Sequence, residues 1–253
     1  MTARFADKVA LVTGGGANIG RATARAFARE GATVVVAGRR PDPLDQTVEL
    51  IEKDGGKASA VVADVTSYSD VERLVETTVN RHGGLHVAFN NAGIFDALGP
   101  VAAIDEEAWN RIISTNLTGV FLSMQHEMRH MARYGGGTIV NMSSSVGPHL
   151  AVPMLGAYGA TKAAVSSLTR TAAREAIAEG VRINAISPGP SDTPMSMQPG
   201  ETEADRAERM KHQLPIGRVG SLDEIVAAVL FLASEESGFV VGHDLVIDGG
   251  GSA

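Results

Sequence analysis

The sequence predicts an α/β fold: a doubly wound parallel sheet of seven strands, with helices on both faces, in a single domain over residues 1–253. Three observations predict it. Short apolar runs alternate with helix-like segments from one end of the chain to the other, the signature of repeated strand–helix units. Most of those runs are near-continuous Val, Ile, Leu and Ala, which suits parallel strands buried on both faces. No repeat, low-complexity tract or linker interrupts the 253 residues, a length that suits one large α/β domain.

In chain order, strands are expected at 8–13, 33–37, 58–62 and 85–90, then at 138–143, 181–186 and 244–247. The helical stretches between them are 20–30, 43–54, 68–82, 106–133, 158–179 and 222–233. One segment breaks the alternation. Residues 188–215 hold prolines, two glycines and the charged stretch 201–211. They read as a long loop, and long loops commonly cover sites, so a substrate-covering lid is expected there.

Composition narrows the function classes. Hydrophobic residues make up 44% and charged residues 20%, an ordinary globular balance. The 29 glycines imply many tight turns and close backbone approaches. A net charge of −7 argues against a general nucleic-acid or membrane-surface binder, so any anion must be held locally. Without cysteine there is no disulfide, thiolate ligand or cysteine nucleophile. The His and Asp residues lack metal-ligand spacing, so no metal site is expected. No apolar run reaches the ~18 residues that span a bilayer, and residues 1–8 lack a signal-peptide apolar region. The expected location is cytoplasmic.

The first strand runs into Thr13-Gly14-Gly15-Gly16-Ala17-Asn18-Ile19-Gly20 and then a helix. Glycines there let the backbone approach a pyrophosphate, while the helix N-terminus offers amide donors and positive dipole. The spacing departs from Gly-x-Gly-x-x-Gly, because five residues separate Gly14 from Gly20. The second strand ends Val36-Ala37-Gly38-Arg39-Arg40, with no carboxylate where an NAD site carries one. A guanidinium matches a ribose 2′-phosphate in charge and fork geometry. Arg39, supported by Arg40, therefore points to NADP(H), with NAD(H) as the alternative.

Tyr158 and Lys162 stand four apart in Tyr158-Gly159-Ala160-Thr161-Lys162. On a helix they share a face. A free phenol, with a pKa near ~10, exchanges protons poorly at neutral pH. An adjacent ammonium favours the phenolate, and a tuned tyrosine can pass a proton to or from a carbonyl or alcohol oxygen.

With these residues in view, the chain resembles the short-chain dehydrogenase/reductase family, of the compact single-domain Rossmann type and similar to 3-oxoacyl-carrier-protein reductases. The likeness spans essentially the whole chain. It rests on motifs in the family's order: Thr13-Gly14…Gly20, Asp64, Asn90-Asn91-Ala92-Gly93, Asn116, Ser143-Ser144-Ser145, Tyr158-x-x-x-Lys162, Pro188-Gly189, and the run from Leu214 to Gly250. The resemblance implies that Tyr158 is the general acid/base. Lys162 would lower its pKa and bond the nicotinamide ribose, and Asn116 would hold a relay water. It implies that Asp64 contacts adenine, with Val65 beside it, and that Asn90 lines the adenosine side. Ile19, Asn91, Ala92, Gly93, Pro188, Gly189 and Thr193 complete the implied cofactor contacts.

Two departures from the pattern stand out. Asn18 replaces the family's middle glycine; Asn tolerates positive φ better than most residues and its side chain could reach a phosphate or ribose. The catalytic serine is ambiguous. Counting from the strand gives Ser144, and counting back from Tyr158 gives Ser145. Strand register tolerates insertion less well than a loop, which favours Ser144.

The implied reaction is hydride transfer between NADP(H) and a small-molecule ketone or secondary alcohol, small and largely apolar. The stretch 147–156, with Phe95, Leu98, Met195 and Met197, suggests an apolar pocket. His149 is expected to be exposed. Two rival readings remain open: an NAD-dependent dehydrogenase of a polyol, cyclic alcohol or hydroxysteroid-like substrate, and a non-catalytic cofactor-binding protein. The resemblance also implies a homotetramer.

Overall fold

The computed structural model describes residues 3–253. Seven parallel strands form one sheet: β1 (Val9–Thr13), β2 (Thr33–Gly38), β3 (Lys57–Val62), β4 (Val87–Asn90), β5 (Gly137–Met142), β6 (Val181–Pro188) and β7 (Asp244–Ile247). Their order is β3-β2-β1-β4-β5-β6-β7. Leu11 of β1 lies opposite Val35 of β2 on one side and Ala88 of β4 on the other. The winding reverses between β1 and β4, and the crevice outside the carboxyl ends at such a reversal is where open α/β sheets bind ligands.

Both faces are covered, and the strands show it residue by residue. Ala10 and Val12 point into one core with α1 (Asn18–Arg29), α2 (Pro41–Lys53) and α8 (Leu222–Ala233). Val9 and Leu11 point into the other, with α3 (Tyr68–His82), α5 (Gly119–Arg133) and α6 (Gly156–Ala176). A strand buried on both faces needs apolar residues at every position, which is why the runs are continuous rather than alternating.

Two expectations are corrected. Residues 106–133 are not one helix. Helix α4 (Glu106–Ile113) meets α5 through a π-helical turn, Ser114–Thr118. The widened turn holds the buried Asn116, and such turns recur at functional sites. Nor is 188–215 a long loop. It contains a short 3-10 turn (Pro194–Ser196) and α7 (Glu203–Gln213), whose first turn is closed by reciprocal bonds between Thr202 and Asp205. Helix α7 buries only Arg206 and Met210, so it has no apolar stripe for a periodicity reading to find. Arg209 pairs with Glu201 at 2.6 Å and Arg206 with Asp192 at 2.7 Å, tying it to the preceding segment.

Candidate active site

The glycine turn is built for close approach. Gly14 has φ +65° and Asn18 has φ +45°, so the asparagine adopts the left-handed conformation that its place in the loop demands. A side chain on Gly20 would run into the Gly14 carbonyl. The Asn91 side-chain amide donates to the carbonyls of Thr13 (3.1 Å) and Gly14 (3.3 Å). The Thr13 hydroxyl accepts from the backbone N–H groups of Asn91 (3.1 Å) and Ala92 (3.2 Å). These four bonds fasten the end of β1 to the end of β4. On the far side, the Thr47 hydroxyl lies 3.0 Å from the Gly15 carbonyl, and Arg21 donates to Thr47 (3.0 Å) and to the Gly16 carbonyl. Arg21 and Thr47 were not expected in the site. Their part is tertiary, and neither falls in a motif.

A cleft of about 230 Å³ opens beside this turn. Gly14, Arg39, Arg40, Asp64, Val65, Ala92, Gly93 and Thr115 are among its walls. Both arginines are exposed, and among the described residues neither has an ion-pair partner. The Asp64 backbone N–H donates to the Asp70 carboxylate (3.0 Å), while the Asp64 carboxylate accepts from the Thr66 N–H and hydroxyl (2.9 Å each). Ile19, half-buried, follows Asn18 in the first turn of α1. Asn90 is a correction: it does not line the adenosine side. Its side chain is buried in the core, donating to Glu127 (2.9 Å) and Asn141 (3.0 Å).

Strand β5 and helix α6 supply the remaining groups. Ser143 is tied to the Lys162 carbonyl (3.0 Å) and the Ser166 hydroxyl (2.7 Å). The Ser144 hydroxyl accepts from the Val146 N–H (3.2 Å) and sits against Tyr158. Ser145 is held through its backbone: its N–H donates to the Pro188 carbonyl (3.0 Å), and its carbonyl accepts from the N–H groups of His149 and Leu150. The structure thus brings Ser144 to the tyrosine. Asn116 Oδ1 accepts from the Ile94 N–H (2.8 Å), and Asn116 Nδ2 donates to the Ile94 carbonyl (2.9 Å).

Lys162 donates to the Met142 carbonyl (2.9 Å), with its ammonium 5.7 Å from the Tyr158 ring centre. Burial pushes the lysine down to about 8. Burial also raises the Tyr158 phenol, and the Ser144 hydroxyl opposes that rise. The expected acidification of the phenol is therefore absent in this form, in which Lys162 turns to a backbone carbonyl.

The walls around Tyr158 are apolar. The Phe95 ring meets the Tyr158 ring edge to face at 5.1 Å. Gly99 and Leu155 form a parallel bridge, which joins the loop after β4 to the loop before α6. Ile94, Ala97, Ile112 and Val146 pack in one cluster with Tyr158, and Leu98, Leu150, Met154 and Met195 are exposed. Met197 and Thr193 are half-buried beside the 3-10 turn that follows β6. Pro188 ends β6, and Gly189 packs directly on Asp248. His149 is not simply exposed: its Nε2 pairs with Asp244 at 3.0 Å.

Comparison with known proteins agrees with this geometry. A family model described as enoyl-(acyl carrier protein) reductase matches residues 15–252. The chain is 40% identical over 250 residues to cis-4-hydroxycyclohexanecarboxylate dehydrogenase of Sinomonas cyclohexanicum, covering 98% of each. It superimposes on a short-chain type dehydrogenase/reductase from Mycobacterium marinum with TM-score 0.92 at 35% identity, covering 100% of this chain and 98% of that one. A crystal structure of NAD+-bound xylitol dehydrogenase matches with TM-score 0.92 at 33% identity, covering 98% and 100%.

Proposed function

The chain belongs to the short-chain dehydrogenase/reductase family, and from that premise we propose an NADP(H)-dependent oxidoreductase acting on a small, largely apolar ketone or secondary alcohol. One observation carries the reading: Ser144, Tyr158 and Lys162 converge at the carboxyl edge of the sheet, beside a glycine turn with no room for side chains. The residues fit a dinucleotide. Gly14, Asn18, Ile19 and Gly20 would face its diphosphate, Arg39 and Arg40 a 2′-phosphate, and Asp64 and Val65 the adenine. Asn91, Ala92 and Gly93 would lie along its middle. Pro188, Gly189 and Thr193 would stand at the nicotinamide end. When bound, that cofactor supplies or accepts the hydride.

The chain's own groups handle the proton. Ser144 donates a hydrogen bond to the substrate oxygen, and Tyr158 delivers a proton to that oxygen in reduction or removes it in oxidation. Lys162 places a cation beside the phenol, which favours phenolate when the proton is gone. Asn116, bonded to both polar atoms of the Ile94 backbone, holds its turn rigid; the likeness to the family would give it a part in holding a relay water. Phe95 and the apolar side chains around it exclude solvent and suit an alicyclic ring. The Sinomonas relative, named for a hydroxylated cyclohexane acid, supports that substrate class.

The NAD-dependent reading is favoured by the likeness to an NAD+-bound structure. Two unpaired guanidiniums at the end of β2 favour NADP(H). Dissociation constants for NADPH and NADH decide between them. Arg39→Ala removes charge-assisted bonds of ~1.5–3 kcal/mol, so NADPH affinity should fall roughly 10- to 150-fold and NADH affinity should stay as it was. Tighter binding of NADH than NADPH, indifferent to Arg39→Ala, would overturn the cofactor assignment.

A further inference from the structure

The carboxyl of Glu127 has no part in the chemistry above, yet it is fully enclosed on α5 beneath the ends of β4 and β5. Its Oε2 accepts from Asn90 Nδ2 at 2.9 Å, and the same amide donates to Asn141 Oδ1 at 3.0 Å. Asn141 in turn donates to the Thr169 hydroxyl of α6 at 2.9 Å. Two oxygens in this row of side chains have no donor, Glu127 Oε1 and Asn90 Oδ1. A buried oxygen without a donor is costly, and a buried unpaired carboxylate is costlier. One proton would relieve both.

We propose that Glu127 is a positioning residue held as the neutral acid, its Oε1–H donating to Asn90 Oδ1, so that acid and amide share two antiparallel hydrogen bonds. The proton comes from solvent as the chain folds. Burial pushes this carboxyl up to about 7, and no cation offsets the effect. The titratable groups around α5 are engaged elsewhere. Glu72 and Glu76 of α3 act on His126, His86 acts on His130, and Lys162 bonds the Met142 carbonyl. Arg182 of β6 bonds the carbonyls of Leu232 and Ser234.

The position of the pair gives it a role. Asn90 and Asn141 are register partners across β4 and β5. Asn90 precedes Asn91, which holds the glycine turn. Asn141 precedes Met142, whose carbonyl holds the Lys162 ammonium. The acid–amide pair therefore fixes two strand ends at once, one on the cofactor side and one under the lysine. The positioning role rests on the hydride-transfer reading; the protonation of Glu127 does not.

Infrared difference spectra of the wild-type protein against Glu127→Gln at pH 6, with isotope-labelled glutamate, test the protonation without any activity. The expected result is the carbonyl stretch of a hydrogen-bonded carboxylic acid, present in the wild type and missing in the variant. Carboxylate bands alone would overturn it. Melting curves give a second reading. The folded carboxyl keeps a proton that the unfolded chain releases between the ordinary carboxylate range and about 7, so the wild-type Tm should fall relative to that of Glu127→Gln across that interval. Parallel curves would count against the proposal. Glutamine can reproduce both hydrogen bonds, so its kcat should stay within about two-fold of wild type. Glu127→Leu leaves Asn90 Oδ1 and one of its two amide N–H groups without partners, the other N–H staying on Asn141, and kcat should fall roughly ten-fold or more. Glu127→Asp, too short to reach, should fall likewise and serves if the leucine variant does not fold. A folded Glu127→Gln that loses as much as these would refute the positioning role.

Discussion

Lys162 is enclosed, with its ammonium on the Met142 carbonyl, and burial lowers its pKa from 10.5 to about 8. Below that value the folded chain carries a charge that burial disfavours. Between about 8 and 10.5 the unfolded chain binds the proton and the folded chain does not, so wild-type stability should rise with pH across that window. Lys162→Met removes the charge. At neutral pH it should be more stable by roughly 3 kcal/mol, with no turnover, and its advantage should shrink as pH climbs from 8 to 10.5; thermal melts over that range check it. A stabilising change that abolishes activity marks a residue kept for chemistry. That Tyr158 and Lys162 lie close together, and that the glycine turn and Arg39/Arg40 line one cleft, was legible in the sequence because each is a local pattern. The side-chain direction of Asn90 was not, since its partners Glu127 and Asn141 lie 37 and 51 residues away. The raised phenol of Tyr158 escaped for a similar reason, because enclosure belongs to the packed molecule and not to a four-residue spacing.

The seven strands were legible as apolar runs, and their parallel arrangement followed from burial on both faces. Helix α7 was hidden because it is polar almost all round, and the π-helical turn at Ser114–Thr118 was hidden because one widened turn barely disturbs a helical pattern. Both bear on the proposed function. Helix α7 stands beside Met195 and Met197 and is held by Arg209 on Glu201 and on the Ser196 carbonyl. Arg209→Ala should loosen this segment and, on the reading that it covers the substrate, raise KM for the carbonyl substrate a few-fold, about the effect of losing one partly buried ion pair, while the dissociation constant for NADPH stays constant. Steady-state kinetics beside cofactor titration separate the two quantities. An unchanged KM would leave the segment without a covering role.

At the scale of the molecule, the order of the sheet places every candidate group at one edge. The glycine turn after β1, the Asn91–Gly93 turn after β4 and the serines after β5 all leave the carboxyl ends of neighbouring strands. Strand order is a tertiary fact that no single apolar run states; the alternation of strands and helices carried the doubly wound class but not the order. Exposed Phe239, Phe231 and Val241 near β7, and Trp109 and Phe121 on α4 and α5, form apolar surface on two sides of the chain. We expect a sedimentation mass four times that of the chain, and dimers after Phe239→Asp; a monomer at micromolar concentration would contradict this. The central claim is that Tyr158 moves the proton next to a bound dinucleotide. Its most direct test is NADPH oxidation with cyclohexanone-type ketones by the wild type and by Tyr158→Phe, with NADPH binding to each measured by fluorescence. The account predicts turnover lower by ~10²- to 10⁴-fold in the variant with binding nearly unchanged. Equal turnover in the two proteins would contradict it.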